Sequence, residues 1–432
     1  MKRVFIYLFS LFTLGQVAAQ EANNASALKS LINQSFSYFP KLNEAQNNTI
    51  IAQNQVDLAN NNNLQVSGTA DYTYVRPKIT IPFPLNGETV DFQFAPVHSG
   101  NAAIEASYVL FDFGKIKADV DQAKTGLQLA NHNIDYLKNQ LAYQVANIYY
   151  NIVYYKKAIA IEDSVISYLA YNKTIVSSKL KYGDAIKNDV LNIQSSIDNE
   201  SNTRENLKSA LEKQYSLLAY TTGNTTKPAS DSFDFELPLT NEEQAFLDAE
   251  TNNPDFAVAK DKVAQIDAAI NVSKLVMRPS VTLHGSTGFK NGYVPEIQEM
   301  RYNYQAGVTL HVPIYDGNKM KKQIALNQSQ KKQSELAIET MENDYKKDIQ
   351  QAFIDLRTSQ NQIGHTGSQI AEAIEAEKLA TTRFVNGVGT NLEITNASTN
   401  VQKAQFARLQ YQYQECLAKI QLSRLLGNKY WQ

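Results

Sequence analysis

The sequence predicts an α+β fold in which two very long helices alternate with four membrane-type β-strands, the whole pattern written twice in one chain. Three observations carry this prediction. Strand-like alternation gives way at a glycine to a helical period, the helical runs far exceed what a globular domain needs, and the landmarks recur about 204 residues later.

The first strand-to-helix passage runs from Asn101 to Tyr182. Ala102, Ile104, Ala106, Tyr108 and Leu110 share one side, and Ala103, Glu105 and Ser107 the other. That is a period of two with unlike faces. Beyond Gly114, apolar residues recur at Ile134, Leu137, Leu141, Val145, Ile148 and Ile152, steps of three and four that mark one helix face. Residues 115–182 hold no proline and a single glycine, Gly126. A continuous helix there would be roughly 100 Å long at 1.5 Å per residue. The second passage repeats the first. Tyr302, Tyr304, Ala306, Val308, Leu310 and Val312 alternate with Asn303, Gln305, Gly307, Thr309 and His311, and Pro313-Ile-Tyr-Asp-Gly317 opens a proline-free run over 318–386. Gly114 and Gly317 lie 203 positions apart, while Gly183 and Gly387, like Gly223 and Gly427, lie 204 apart. Near-identical offsets at three landmarks argue for an internal duplication into two half-proteins.

In chain order, Lys2 and Arg3, the apolar run Val4–Leu14 and the small residues Val17-Ala18-Ala19 predict a signal peptide over 1–19. No cysteine follows the expected cleavage point, so no lipid anchor is expected there. The first repeat is expected over 20–224. It holds a helical stretch interrupted at Pro40 and ended by Asn60–Asn63, strands at about 64–76 and 101–111, the long helix 115–182, a tip near 183 and a return helix from Lys187 to Thr222. Pro77, Pro82, Pro84, Pro96 and Asn86-Gly87 predict a loop or irregular hairpin tip over 76–98. Residues 225–240 read as a linker. The second repeat, 241–432, has a helical stretch broken at Asn252-Asn253-Pro254, strands at about 280–289 and 301–312, the long helix 318–386, a tip near 387 and a return helix.

Four strands of about ten residues match the length of outer-membrane barrel strands. The alternative is a small soluble sheet. Against it stand Tyr72, Tyr74, Tyr108, Tyr302 and Tyr304, which lie on the apolar faces near strand ends, where an aromatic girdle would meet outer-membrane lipid. Open strand edges in lipid leave backbone groups unsatisfied at several kcal/mol each, so the edges must pair with other copies. Two copies supply eight strands, whose interior fills with side chains; three supply twelve, wide enough for a channel. A cyclic homotrimer is the economical closure. The fold class expected is therefore an α+β membrane channel, a long antiparallel α-helical barrel joined to a twelve-stranded β-barrel to which each protomer gives four strands.

Composition narrows the function. A net charge of −2 gives no electrostatic reason to expect nucleic acid. Charged residues are 19% of the chain, so much of its polarity rests on Asn, Gln, Ser and Thr. No later segment is long and apolar enough for a transmembrane helix. The lone Cys416 excludes a disulfide within the chain and is expected buried in an amphipathic helix. His98, His132, His284, His311 and His365 are scattered, without metal-ligand spacing. Gly387-Val-Gly389 has no preceding strand and no third glycine, so it is no nucleotide loop. Neither an enzyme nor a cofactor is expected.

The organisation resembles the TolC family of outer-membrane efflux and secretion ducts over essentially the whole mature chain. The junctions Leu110-Phe-Asp-Phe-Gly114 and Pro313-Ile-Tyr-Asp-Gly317 carry the resemblance, as do the tips around Gly183 and Gly387. It implies a homotrimer whose helical barrel tapers at its periplasmic end. The tips would meet a periplasmic adaptor protein coupled to an inner-membrane pump or transporter, which supplies the energy. On that resemblance Gly183, Asp189, Gly387 and Gly389 are docking-tip residues. Gly114, Asp316 and Gly317 mark the strand–helix junctions. The glycines also serve as turn formers, and Asp189 as a cap or pairing group. In the family, acidic residues just after the second tip can ring the closed entrance. Glu393 occupies that place and Asn396 the next turn, so one of two possible rings is missing. Three converging carboxylates would attract cations and raise one another's pKa, whereas a solvated helix carboxylate would do neither. An exit duct of a tripartite efflux system is the expected function. A type I protein-secretion duct uses the same architecture, and a non-conducting trimeric stalk or adhesin is the reading from another class. Such stalks keep strict heptads, which the 204-residue repeat does not favour.

Overall fold

Glycine, proline and aspartate placement sets where each element stops. The computed structural model describes residues 27–61, 64–85, 87–228, 232–237 and 241–432. The expected signal peptide, Asn62 and Asn63, Asn86 and Pro238 lie outside them. Helix α1 covers 27–38, and α2 (Pro40–Asn60) opens on the proline, which lacks only an N–H that the first turn leaves unpaired anyway. There follow β1 (Leu64–Tyr74), β2 (Thr80–Leu85), β3 (Glu88–Gln93), β4 (His98–Phe111), α3 (Lys115–Tyr182) and α4 (Lys187–Thr222). The second half holds α5 (Glu242–Asn252), α6 (Pro254–Leu275), β5 (Ser280–Lys290), β6 (Arg301–His311), α7 (Lys319–Val385) and α8 (Asn391–Leu426).

Packing divides the chain into two compact units that cut across the repeats. One takes the described residues up to Gln46, His132–Val258 and Ile338–Gln432; the other takes Asn47–Asn131 and Ala259–Ala337. Each repeat contributes to both, so the duplication in sequence does not divide the fold into two half-proteins.

The first unit is helical, with an apolar core. Leu31 and Ile32 of α1 pack with Val145, Tyr149 and Ile152 of α3, Leu218 of α4 and Ile420 of α8. Cys416 is buried in the same cluster, and burial pushes its thiol pKa well up. The stretch expected as a linker is a strap here. Phe235 is buried in this core, Phe233 packs against it, and Tyr150 Oη donates to Asp234 at 3.2 Å. Aromatic–acidic alternation over 233–236 was the signal for it. A second cluster joins Ala245 and Ala249 of α5, Phe256 of α6, Ile349 and Leu356 of α7 and Leu422 of α8. Asn253, at the predicted break, caps α6 by accepting from Asp255 N–H at 2.9 Å and donates to the carbonyls of Arg424 and Leu425.

The second unit holds the sheet. Its four main strands are all antiparallel, in the order β1-β4-β5-β6, so the two hairpins join side by side through β4 and β5. At that seam a Cβ on Gly288 would lie 2.1 Å from the Ala102 carbonyl oxygen, an approach open only to glycine. The irregular tip expected over 76–98 is instead a second regular ribbon, β2–β3, paired from Thr80↔Gln93 to Leu85↔Glu88. The prolines misled because Pro82 and Pro84 are two residues apart on a two-stranded ribbon. Both fall at positions whose missing N–H faces away from the partner strand.

Candidate channel wall and helical tips

The strand register assembles two unlike faces from the four strands. Opposite Val66 stands Ala106, then Gly285 and Ala306; opposite Leu64 stand Tyr108, Leu283 and Val308; opposite Ala70 stand Ala102, Phe289 and Tyr302. This face is apolar across the sheet, and its large side chains are exposed, Tyr304 to 81%. The other face is polar and cross-linked. Thr69 Oγ1 donates to Glu105 at 3.2 Å, Asn101 Nδ2 to Asp71 at 3.3 Å, and Thr309 meets His284 at 3.4 Å. The outer edges of β1 and β6 have no partner strand among the described residues. Such a sheet suits neither water on both sides nor apolar contact on both.

Four of the five predicted tyrosines gather at the loop end of the strands. Tyr72 Oη lies 2.6 Å from His98 Nδ1, the Tyr74 ring lies 5.3 Å from the His98 ring, and Tyr302 meets Phe289 edge-on at 5.8 Å and the tilted Tyr304 ring at 6.5 Å. Tyr108 sits at the opposite end, paired with Leu64. There the exposed Phe111, Phe113 and Tyr315 accompany it, and the sequence reading missed all three. Their signal was the aromatic content of the two junction motifs.

At each junction the strand turns into its helix through two successive left-handed residues, Phe113-Gly114 and Gly317-Asn318. These pairs are equivalent at an offset of 204, with the glycine in the second place in one repeat and the first in the other. This exchange accounts for the odd spacing of 203 between Gly114 and Gly317. Asp112 and Asp316 are the invariant part. Asp112 accepts from the N–H groups of Gly114 and Ile116, and Asp316 accepts from Met320 N–H at 2.7 Å. Both carboxylates meet unpaired N–H groups and the positive end of a helix dipole.

At the tips Gly183 and Gly387 take φ of +84° and +76° and close α3 and α7 with the same pair of hydrogen bonds. Asp184 N–H reaches Lys179 O at 2.9 Å and Gly183 N–H reaches Leu180 O; Val388 N–H reaches Arg383 O at 3.0 Å and Gly387 N–H reaches Phe384 O. A Cβ on Gly389 would lie 2.9 Å from Phe384 N, so that glycine permits a close chain approach. Asp189 accepts from Ile186 N–H at 3.1 Å in the first turn of α4, and Asn391 Nδ2 ties the tips together by donating to Asp189 O at 3.3 Å. Below them Val176, Ile193, Phe384 and Ile394 form a third core cluster. Glu393 is not free within the chain. Its N–H donates to the cap Thr390 at 3.3 Å, and its carboxylate lies 3.7 Å from Arg383 Nε, a partner the sequence reading did not consider. Asn396, one turn on, is exposed. Tyr182, Ile186, Val388 and Leu392 leave apolar surface uncovered around the turns.

Two-faced hairpins feeding helices of 68 and 67 residues, each written twice, define a duplicated strand–helix protein. Residues 247–428 match the family model described as "Outer membrane efflux protein". Nodulation protein T of Rhizobium leguminosarum bv. trifolii is 21% identical over 74% of this chain and 70% of its own. Outer membrane efflux protein BepC of Brucella suis biovar 1 is 20% identical over 82% of this chain and 77% of its own. The crystal structure of the outer membrane protein VceC from Vibrio cholerae superposes with a TM-score of 0.76 at 16% identity, covering 93% of this chain and 96% of that one. The match to the outer membrane efflux protein model is thus carried by residues 247–428, and the fold over nearly the whole chain is the one seen in VceC.

Proposed function

We propose that three copies of this chain form a passive exit duct of a tripartite efflux system, carrying substrates from an inner-membrane pump and its periplasmic adaptor to the exterior. The observation that carries the reading is the four-stranded sheet with one exposed apolar face, one polar face and two unpaired edges. Pairing β1 of one copy with β6 of the next closes twelve strands, places the apolar faces in lipid and lines the interior with Thr69, Glu105, His284 and Thr309. The aromatic residues at the two strand ends then sit at the two membrane interfaces. The tips around Gly183, Asp189, Gly387 and Gly389 take the adaptor, whose helical hairpins bury the apolar surface at Tyr182, Ile186, Val388 and Leu392. Glu393 and Asn396 stand at the periplasmic entrance, with Arg383 as the countercharge that tunes it.

Single-channel recording of the purified protein in planar bilayers, beside a mass measurement of the assembly, tests this. A trimer with cation-selective currents is expected. Glu393→Ala should lower the cation preference and raise conductance, and Arg383→Ala should increase the preference. A trimer that never conducts would sink the duct; currents indifferent to both substitutions would move the entrance gate elsewhere.

A further inference from the structure

Away from the tips, the helical unit sets a buried carboxylic acid against a half-buried one. Glu162 of α3 is 1% exposed, and its carboxyl hydrogen-bonds that of Glu200 on α4. Gln402 of α8 bridges them: its Nε2 donates to Glu162 Oε1 at 3.1 Å and to Glu200 Oε2 at 2.8 Å. Three side chains thus join three helices, two from the first repeat and one from the second. The second repeat has no such pair, since Thr366 and Ala404 stand where Glu162 and Glu200 would recur.

Among the described residues, the cation beside the pair is Arg204, and it is engaged elsewhere. On α3 the neighbouring charge is Asp163, which is committed to Arg204 of α4 at 2.6 Å. From α8 come only neutral groups, the Gln402 amide and the hydroxyls of Thr395, Ser398 and Thr399, which line a small cavity beside Glu200. On α7, Glu377 interacts with the Ser398 hydroxyl. Burial, then the charge of Glu200, push the Glu162 carboxyl up to about 7, and the Gln402 hydrogen bond offsets only part of this.

We propose that Glu162, Glu200 and Gln402 form a one-proton clasp that holds α8 on the α3–α4 hairpin and slackens when the shared proton leaves. With Glu162 protonated, its O–H can donate to Glu200 while the Gln402 amide serves both acids. Loss of the proton replaces that hydrogen bond by repulsion between a buried and a half-buried carboxylate, which a neutral amide donating one N–H to each does not offset. The direction follows from linkage. A carboxyl raised from 4.5 to about 7 on folding binds more protons in the closed clasp than in the opened one. Its stabilising effect is therefore full below the ordinary carboxylate range and lost as pH rises through neutrality. The clasp makes this bundle sensitive to pH independently of what passes through the channel.

Hydrogen exchange of the α8 amides around Gln402 in the assembled full-length protein, corrected for intrinsic exchange, tests the proposal. Between about pH 5.5 and about pH 8 the opening equilibrium should rise on the order of tenfold in the wild type. Glu162→Gln, which keeps a hydrogen-bonding group and removes the ionisation, should flatten that dependence while leaving exchange in α5 unchanged. Infrared difference spectra of the wild type should show a buried protonated carboxyl that disappears near neutral pH; this arm does not depend on the variant folding. The same pH dependence in Glu162→Gln as in wild type would overturn the clasp, as would the absence of a titrating protonated carboxyl.

Discussion

The helical unit and the sheet treat the same residue types in opposite ways. In the helical unit Tyr149, Ile152, Ile349 and Leu422 are fully buried against neighbouring helices. In the sheet Ile104, Tyr304, Val308 and Leu310 stand exposed on one face, although the strands are fully paired between β1 and β6. Water would penalise such a face by about 25 cal/mol per Å² of apolar surface. On the proposed function the two regions are built for different solvents: one completes its apolar contacts within the chain, and the other leaves an exposed apolar face for lipid to cover.

The sharpest way to break this comparison is to make one substitution in both places. Leu422→Ala should cost about 2–5 kcal/mol, read from the thermal midpoint in detergent, because the surrounding helices cannot fill the space. Leu310→Ala should cost less than about 0.5 kcal/mol. Equal losses would mean that the sheet face packs on protein, and the two-solvent account would fail. Next in size, Ile104→Arg near the middle of β4 should cost roughly 2–4 kcal/mol in a bilayer and leave the helical content unchanged. Retained barrel assembly in lipid, seen as an unaltered heat-resistant band on gels, would count against a membrane-facing side. A smaller effect tests the seam where each strand becomes a helix. Asp316→Ala and Asp112→Ala should each cost about 0.5–2 kcal/mol, with faster amide exchange confined to the first turn of α7 or α3. Loss in one repeat only would show that the two junctions, alike in geometry, differ in load.

Much of this was legible because it is written in local chemistry. Alternation at Tyr302–Val312, the three-and-four spacing after Gly114 and the glycines at 183 and 387 each act over a few residues, so strands, helices and turns could be read from them. The ribbon over 76–98 was misread because proline is tolerated on a free edge and sequence does not announce edges. The strap at Phe233 and Phe235 was missed because its apolar residues are few and serve a core formed by distant segments.

By itself, then, the sequence determined the duplication, the periods, the caps and the two-faced strands, since each follows from bonding within a strand or a helical turn. Tertiary structure alone decided the order β1-β4-β5-β6, the division of each repeat between two packed units, the Arg383–Glu393 contact and the meeting of Glu162, Glu200 and Gln402. Those depend on which residues far apart in the chain share one desolvated space, a property that no local period records.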